Sequence, residues 1–209
     1  SAGGRTITGL HSGLAGGYQL VNSAVALAAL DLLGGKGFPV GDDTIRAALP
    51  EVRWPGRLEE FCLSEPELIE IDCPGNDDDC QNFRHYLLDG AHNPAGVESL
   101  IEYLQSRDDF NNLVMVWASM ADKDYASSLA AVAPLCRRLI FTRPEEERSA
   151  HPDVLVKALP PEYRAKALRI DGVAEALAKA RVLAAGNDLI CVAGSLYLIG
   201  AARTILLGE

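Results

Sequence analysis

The 209-residue chain lacks the features that mark two large classes of protein. No apolar run approaches the roughly 20 residues that a helix needs to cross a bilayer, so a membrane-spanning protein is not predicted. Basic residues are few: 19 Lys and Arg stand against 29 Asp and Glu, for a net charge of −10. Nucleic acids and anionic membrane surfaces are held chiefly by Lys and Arg, so neither is predicted as a partner. A nucleotide is still compatible, because it needs only a few local positive groups.

Cysteine is also scarce, and its pattern predicts neither a disulfide framework nor a metal centre. The five cysteines are an odd number and include no Cys-x-x-Cys pair, whereas disulfide scaffolds and zinc sites favour even sets or close pairs. Cys136 and Cys191 lie in or beside apolar segments and are predicted to be buried thiols. Cys73 and Cys80 flank an acidic run at 77–79, which is typical of a solvated loop. The chain is therefore predicted to be cytoplasmic, reduced and without a metal site.

A phosphate-binding loop is missing as well. Neither Gly-x-x-x-x-Gly-Lys-Ser/Thr nor Gly-x-Gly-x-x-Gly occurs in the chain. The nearest approach, at 33–37, has no Ser or Thr after Lys36 and follows a predicted helix, so we interpret it as a glycine helix cap and loop. The element that normally grips a triphosphate is therefore not found in this sequence.

Strands alternate with helices from residue 57 onward, and this order predicts an α/β fold. The predicted strands lie near 57–63, 84–88, 113–118, 138–142, 165–170 and 188–193. The predicted helices lie near 95–105, 125–132, 152–158, 173–184 and 196–206. Such alternation produces βαβ units, and hence a mostly parallel sheet covered by helices on both faces.

The first 53 residues have a different, helical character. A helix is predicted over 18–33, apolar on most sides as in a helix buried between other elements. A second helix is predicted to start with Asp42 or Asp43 as its cap and to run to Pro50. Two helices do not make a domain, so we interpret this segment as the end of something larger. The proline-glycine break at 53–56 predicts a domain boundary.

A polar segment, Asp89-Gly90-Ala91-His92-Asn93-Pro94, follows the strand at 84–88. Asn93 as cap and Pro94 as first helical residue predict a helix start. In open α/β sheets, ligands bind beyond the carboxyl ends of the strands, where helix N-termini attract anions. Asp89 and His92 are therefore candidates to contact a phosphorylated or ribose-bearing ligand. They also fit a purely structural role, as an acid that ends a strand and an imidazole packed on a turn.

Four segments together resemble the C-terminal half of folylpolyglutamate synthase/dihydrofolate synthase, a branch of the Mur ligase superfamily. In order, they are Gly17-Tyr18-Gln19-Leu20-Val21-Asn22-Ser23-Ala24, Trp54-Pro55-Gly56-Arg57-Leu58-Glu59, Asp89-Gly90-Ala91-His92-Asn93-Pro94 and Asp122-Lys123-Asp124. The resemblance covers nearly the whole chain, and its second and third segments are specific in combination. It implies a Rossmann-like C-terminal domain at 58–209, preceded at 1–53 by a helical remnant of the central ATPase domain.

The resemblance also implies an activity and its ligands. In that family, ATP phosphorylates a folate-type carboxylate, and the amine of glutamate attacks the acyl phosphate. The full-length parent would use ATP, Mg²⁺, folate or dihydropteroate, and L-glutamate. Its phosphate-binding loop and magnesium ligands would lie upstream, in an ATPase domain in cis. The chain alone is expected to be inactive and to bind no cofactor tightly.

Carried over to this sequence, the family pattern assigns four residues to ATP and no catalytic residue. Asn22 would lie near the adenine, Arg57 against the phosphates, and Asp89 and His92 at the ribose and phosphate side. A guanidinium suits the charge that grows in phosphoryl transfer, and a carboxylate can accept from a ribose hydroxyl. The structural alternatives are a helix cap for Asn22 and a domain-joint ion pair for Arg57. The segment 122–124 fits either the glutamate site or a capped helix start.

Two other functions compete with a folate–glutamate ligase. One is a different Mur-type ligase that acts on cell-wall precursors, although the amino-acid sequences of the second and third segments favour the folate branch. The other is a stand-alone, non-catalytic α/β module that binds nucleotides or regulates. An upstream Gly-Thr-x-Gly-Lys-x-Ser segment in the natural reading frame would decide for a ligase. The sequence leaves open whether the parent makes dihydrofolate, extends polyglutamate, or does both.

Overall fold

The computed structural model describes residues 6–73, 82–145 and 147–208. The chain divides into two compact units, Ser1–Arg57 and Leu58–Glu209. Within the described ranges, no helix combines the length and apolarity that crossing a membrane requires.

The first unit is helical, as predicted, but its long helix is not buried. Helix α1 spans Gly17–Gly34, helix α2 spans Asp42–Ala48, and a 3-10 turn follows at Leu49–Glu51. Four apolar side chains of α1 are 64–70 % exposed: Leu20, Val21, Val25 and Leu32. The expected burial is therefore wrong for this chain, because α2 and one short turn are too small to cover an 18-residue apolar helix.

The observed ends of these helices agree only in part with those predicted from the sequence. Helix α1 ends at the predicted glycines, where the Gly35 amide bonds to the carbonyls of Asp31 and Leu33. Helix α2 begins after Gly41, with no side-chain cap. Asp42 and Asp43 therefore lie in the first turn instead of capping it, where their charge still favours the positive end of the helix dipole.

The second unit contains a seven-stranded sheet in the order β2-β1-β3-β7-β4-β5-β6. Its strands are β1 (Glu59–Ser64), β2 (Glu70–Ile71), β3 (Phe83–Asp89), β4 (Leu113–Trp117), β5 (Cys136–Phe141), β6 (Ala167–Arg169) and β7 (Leu189–Ala193). Strands β3, β7, β4, β5 and β6 are parallel, and β1 is antiparallel to both β2 and β3. The predicted mostly parallel sheet is thus confirmed. The two-residue strand β2 was not predicted, because it is too short to show a pattern.

Helices cover both faces of this sheet. They are α3 (Pro94–Gln105), α4 (Tyr125–Val132), α5 (Pro152–Ala158), α6 (Val173–Leu183) and α7 (Leu196–Leu207), with 3-10 turns at Ala133–Leu135 and Pro161–Lys166. Helices α6 and α7 share one core with alternate strand residues such as Tyr86, Val116 and Val192. The residues between these, such as Leu87 and Met115, are also fully buried. Because strand side chains alternate between faces, they pack under α3, α4 and α5 on the other side.

The order of connections creates a switch point in the sheet. The chain runs from β3 to β4, continues outward through β5 and β6, and returns to insert β7 between β3 and β4. Helices α3 and α4 pack together, whereas α7 packs with α6 on the opposite face. Chain segments therefore leave the carboxyl ends of neighbouring strands toward different faces. In a doubly wound sheet, a crevice forms at this point.

The cysteines correct one prediction and confirm another. Cys62 and Cys73 form a disulfide, with their Cα atoms 5.1 Å apart. Antiparallel pairing sets Cys62 opposite Ile71, so the chain brings Cys73 beside it, which an odd cysteine count could not reveal. Cys136 and Cys191 are free and buried, as predicted. The predicted acidic loop at 77–79 and Cys80 lie outside the described residues.

Candidate functional site

The candidate site lies where β3, β7 and β4 end. These three strands are parallel neighbours, with Ala193 of β7 in register with Asp89 on one side and Trp117 on the other. The loops that follow them, at 90–93, 118–124 and 194–195, therefore lie at one edge of the sheet. This edge is the switch point of the fold, where ligands of open α/β sheets bind.

Asp89 holds together the beginning of the unit and the loop after β3. Its side chain is only 3 % exposed. One carboxylate oxygen accepts from the amide of Leu58 at 2.9 Å, and the other accepts from the amide of Ala91 at 2.8 Å. Leu58 directly follows Arg57 and has a left-handed φ of 46°, which also explains why β1 begins later than the alternating pattern predicted. Asp89 is therefore at least a positioning residue.

His92 and Asn93 complete this loop. The Nδ1 atom of His92 lies 2.8 Å from the carbonyl oxygen of Gly90. A carbonyl can only accept, so Nδ1 carries a proton, and in the neutral imidazole Nε2 is an acceptor. Asn93 accepts from the Gly96 amide at 2.9 Å, and Pro94 is the first residue of α3. The predicted cap at the start of this helix is confirmed.

Gly194 joins the three loops. Its φ is +97°, and its amide donates to the Ala91 carbonyl at 2.9 Å. A Cβ atom there would lie 2.3 Å from the Ala118 carbonyl oxygen and 2.5 Å from the Trp117 ring. Only glycine fits this conformation and this close approach. The next residue, Ser195, is the cap of α7, because its hydroxyl accepts from the Tyr197 amide at 3.2 Å.

A cavity of about 170 Å³ opens at this edge. Its lining combines one imidazole, two cations, one acid and several apolar groups: His92, Met120, Asp122, Lys123, Arg148, Ser195, Leu196 and Tyr197. We call this cavity the crevice. It lies entirely within the second unit and at the switch point of the sheet.

The two cationic side chains of the crevice each contact a neighbouring side chain and remain accessible to solvent. Lys123 lies 3.3 Å from the Asp122 carboxylate and is 45 % exposed. Arg148 donates to the Tyr197 hydroxyl at 2.7 Å, and its guanidinium carbon lies 5.0 Å from the centre of that ring. The hydrogen bond to Tyr197 raises the pKa of Arg148. The crevice can therefore offer two positive groups to an anionic ligand.

Segment 122–124 contains residues of two kinds, one that caps a helix and two that line the crevice. Asp124 caps α4, because its carboxylate accepts from the Ser127 amide at 3.3 Å and from the Ser127 hydroxyl at 2.9 Å. Asp122 and Lys123 instead line the crevice. Arg148 and Tyr197, which the sequence analysis missed, are distant in sequence from this segment. Arg148 stands in no motif, and Tyr197 looks like an ordinary residue of an apolar helix.

The other two predicted ATP contacts belong to the first unit. Asn22 is exposed on α1, where its amide donates to the Gln19 side chain at 2.9 Å. The alternative role of Asn22 as a helix cap is wrong, because Gly16 occupies the cap position. Arg57 is half-buried, and its amide closes a turn onto the Trp54 carbonyl at 3.2 Å. Contact of Asn22, Arg57, Asp89 and His92 with ATP stays a prediction.

Together, the sheet order and the crevice define a doubly wound α/β domain with a candidate anion site at its switch point. Residues 78–196 of the chain match the Mur ligase glutamate ligase domain. The chain belongs to this family.

Individual proteins of known name are also similar to this chain in sequence. The chain is 30 % identical over 191 residues to a probable bifunctional folylpolyglutamate synthase/dihydropteroate synthase of Halobacterium salinarum, covering 91 % of this chain and 20 % of that protein. It is 32 % identical over 208 residues to the folylpolyglutamate synthase of Lacticaseibacillus casei, covering 97 % of this chain and 41 % of that protein.

A solved structure extends the comparison to three dimensions. The folylpolyglutamate synthase of Mycobacterium tuberculosis, complexed with ADP and AMPPCP, superposes with a TM-score of 0.77 at 27 % identity. The match covers 96 % of this chain and 42 % of that one. The chain therefore spans between about one fifth and two fifths of the length of these relatives.

Proposed function

We propose that this chain is the C-terminal part of an ATP-dependent ligase that joins L-glutamate to a folate or dihydropteroate carboxylate through an acyl phosphate. The observation that carries this proposal is the cationic crevice at the switch point, in a member of the Mur ligase glutamate ligase family. The relatives named folylpolyglutamate synthase support the folate branch, and with it a role in folate biosynthesis and one-carbon metabolism.

The nucleotide is proposed to contact Asn22, Arg57, Asp89 and His92. The planar guanidinium of Arg57 suits phosphate oxygens, because it can donate two parallel hydrogen bonds. In the neutral imidazole, Nε2 of His92 can accept a hydrogen bond from a ribose hydroxyl. Asp89 already accepts from two backbone amides, so most of its contribution is to hold the loop, and a ribose hydroxyl would add to these bonds.

L-Glutamate is proposed to bind in the crevice. At neutral pH this substrate carries two carboxylates, and the crevice carries two cations, Lys123 and Arg148. Arg148 can hold a carboxylate with two donors, whereas Lys123 supplies a point charge beside it. The hydrogen bond from Arg148 to Tyr197 sets the direction of the guanidinium before the substrate arrives.

The remaining parts of the active site are proposed to come from an ATPase domain in cis. That domain would supply the phosphate-binding loop and the Mg²⁺ ligands. The exposed apolar side chains of α1, which are 64–70 % accessible, support such a partner because single chains rarely leave a long apolar helix face in water. This chain alone is then expected to have no ligase activity.

Kinetics of the full-length parent test the two assignments separately. Arg57→Ala is expected to lower kcat about 100-fold or more, since one lost contact to transition-state charge costs about 2.7–4 kcal/mol. Arg57→Lys should recover only part of this loss, because a point charge lacks the planar fork. Arg148→Ala should instead raise KM for glutamate with a smaller effect on kcat. Lys179→Ala, a change on helix α6, is the control and should leave both constants unaltered.

Three results would contradict the proposal. Near-normal turnover of Arg57→Ala, or a rate loss that only follows a lower melting temperature, would make Arg57 a structural joint residue. Phosphate release with cell-wall precursors in place of folates would assign the parent to another Mur branch. Glutamate-dependent ATP consumption by the purified 209-residue chain would show that no further domain is needed.

A further inference from the structure

A cluster of three metal-binding side chains lies apart from the crevice, on the antiparallel side of the sheet. Cys62 of β1 pairs across the sheet with His85 of β3, and Cys73 follows β2, the next strand outward. The two sulfur atoms and a ring nitrogen of His85 all lie within 4.8 Å of one another. In the structure, the two sulfurs are joined as a disulfide.

We propose that Cys62, Cys73 and His85 form a zinc site that opens when this disulfide is reduced. Zinc binds thiolate sulfur at about 2.3 Å and imidazole nitrogen at about 2.0–2.1 Å in a tetrahedron. Tetrahedral angles then place the ligand atoms about 3.6–3.8 Å from one another. The three ligand atoms already lie within 4.8 Å of one another. Reduction frees the two sulfurs to move apart to the spacing that zinc requires. A water molecule would complete the four ligands.

A carboxylate orients the imidazole of this site. His85 Nε2 lies 3.0 Å from Glu60 Oε2. Glu60 also accepts from the Tyr103 hydroxyl and from Arg107, and these two bonds keep it an acceptor. Nε2 of His85 therefore donates, and the lone pair that a metal needs is on Nδ1. Metal-binding histidines commonly donate their second nitrogen to a carboxylate in this way, so Glu60 is a positioning residue of the site.

Access to the site is one-sided. Cys62 is fully buried, whereas Cys73 is exposed and the His85 side chain is 16 % exposed. A reductant can therefore attack the Cys73 sulfur and release Cys62. With a thiol reductant, two thiols become one disulfide and give two electrons and two protons to the protein cysteines. Zinc then displaces both protons when it binds the two thiolates.

The test is zinc binding by the oxidised and the reduced chain, in a Cys80→Ser background that removes a further thiol of unassigned role. Reduction uses a trialkylphosphine, which takes up oxygen from water as the phosphine oxide and leaves two protein thiols. Zn²⁺ alone is titrated by calorimetry, and Co²⁺ replaces it for absorption spectra. We expect one equivalent of zinc after reduction and none before it. Bound cobalt should show thiolate charge-transfer absorption and the strong visible bands of a tetrahedral site.

Variants separate the three ligands from the rest of the protein. Cys73→Ser should abolish the cobalt charge-transfer pattern of two thiolates, and His85→Asn should weaken zinc binding at least 10-fold. Glu60→Gln should weaken it about 10–100-fold, as loss of an orienting carboxylate does. His85→Cys restores a ligand and should regain affinity, which distinguishes ligation from misfolding. His11→Gln changes a histidine of the first unit and should have no effect.

Equal zinc binding by the oxidised and reduced chains would overturn the proposal. The same holds if Cys73→Ser or His85→Asn, with a normal far-ultraviolet circular dichroism spectrum, keeps the affinity of the reduced chain. Zinc that binds without the cobalt charge-transfer band would also contradict it, because the thiolates would then not be ligands.

Discussion

At the scale of single residues, two acidic side chains, the buried Asp89 and the half-buried Glu60, each hold neighbouring groups in place. Asp89 uses both carboxylate oxygens to accept from backbone amides, and these bonds stabilise its negative charge. Glu60 accepts from Tyr103 and Arg107 and lies beside His85. Asp89 is the last residue of β3, and Glu60 lies near the start of β1. A displaced side chain at either position would also move the adjoining loop.

Replacement of Asp89 by asparagine measures its positioning role. One amide N–H then faces a side-chain NH₂ instead of an oxygen, and this unsatisfied donor is expected to cost about 1–3 kcal/mol of unfolding free energy. Urea denaturation of the chain is the measurement. Asp171→Asn is the control, since that exposed carboxylate pairs with Arg143 at 2.9 Å and should cost below about 1 kcal/mol. A raised KM for ATP in the parent without any loss of stability would instead make Asp89 a direct nucleotide ligand.

Tyr103 predicts a pH dependence of stability. Burial, the hydrogen bond to Glu60 and the negative charge of that acid raise the pKa of Tyr103 to about 12. Because an unfolded tyrosine ionises near pH 10, the stabilisation is complete below that pH and is lost as the pH rises to about 12. Tyr103→Phe should therefore cost about 1 kcal/mol near pH 8, and its deficit relative to the unmodified chain should shrink above pH 10.

Denaturation at several pH values checks this prediction, with Tyr125→Phe as a control on helix α4. The absorbance titration of the tyrosines should also lose a step near pH 12 in Tyr103→Phe. A deficit that stays constant from pH 8 to pH 12 would contradict the assigned pKa.

At the scale of secondary structure elements, the turn from β7 into α7 governs the geometry of the crevice. Gly194 lets the backbone of this turn approach the end of β4, and its amide ties the turn to the loop after β3. Ser195 then caps α7 and lines the crevice in the same position. One glycine thus sets the separation of all three loops.

Gly194→Ala is expected to destabilise the chain by about 3 kcal/mol or more, because the positive φ and the contacts with the Ala118 carbonyl and the Trp117 ring add their costs. Gly200→Ala is the matched control. This exposed glycine lies inside α7 with open space around it, so alanine should stabilise by about 0.5–1 kcal/mol. The free energy of unfolding of both variants is measured by thermal and urea denaturation. Equal stability of the two would show that the turn can relax without cost.

At the scale of the whole molecule, the two units differ in how much apolar surface they bury. The second unit has a sheet whose central strands β4 and β7 are buried along their entire length. The first unit has an 18-residue helix whose only buried residue is Gln19. Because stability follows buried apolar area, the two units should not be equally stable.

Hydrogen exchange by mass spectrometry tests this difference. Amides of α1 are expected to exchange well before those of β4 and β7, and proteolysis should begin before Trp54. Residues 58–209 expressed alone should keep the slow exchange of the sheet, since about 150 residues suffice for one core. Uniform protection from the first residue to the last would contradict the division into units of different stability.

The sequence by itself determined most of the elements. Helices α4 and α5 occupy the residues predicted for them, and the other major elements differ from prediction by a few residues. Periodicity, caps and proline positions are local signals, so they can be seen along the chain. The resemblance of four short segments to one ligase family also needed no coordinates, because each motif is contiguous.

The tertiary structure decided what depends on distant residues. The return of the chain to insert β7 between β3 and β4, the pairing of Cys62 with Cys73, and the approach of Arg148 and Tyr197 to Lys123 leave no local pattern. Asp89 illustrates the same limit, since its position after a strand predicted a ligand contact, whereas folding also gave it two backbone amides to hold. Local sequence preferences determine the helices and strands, because these depend on neighbouring residues. Only long-range packing determines which strand ends and loops come together in the folded chain.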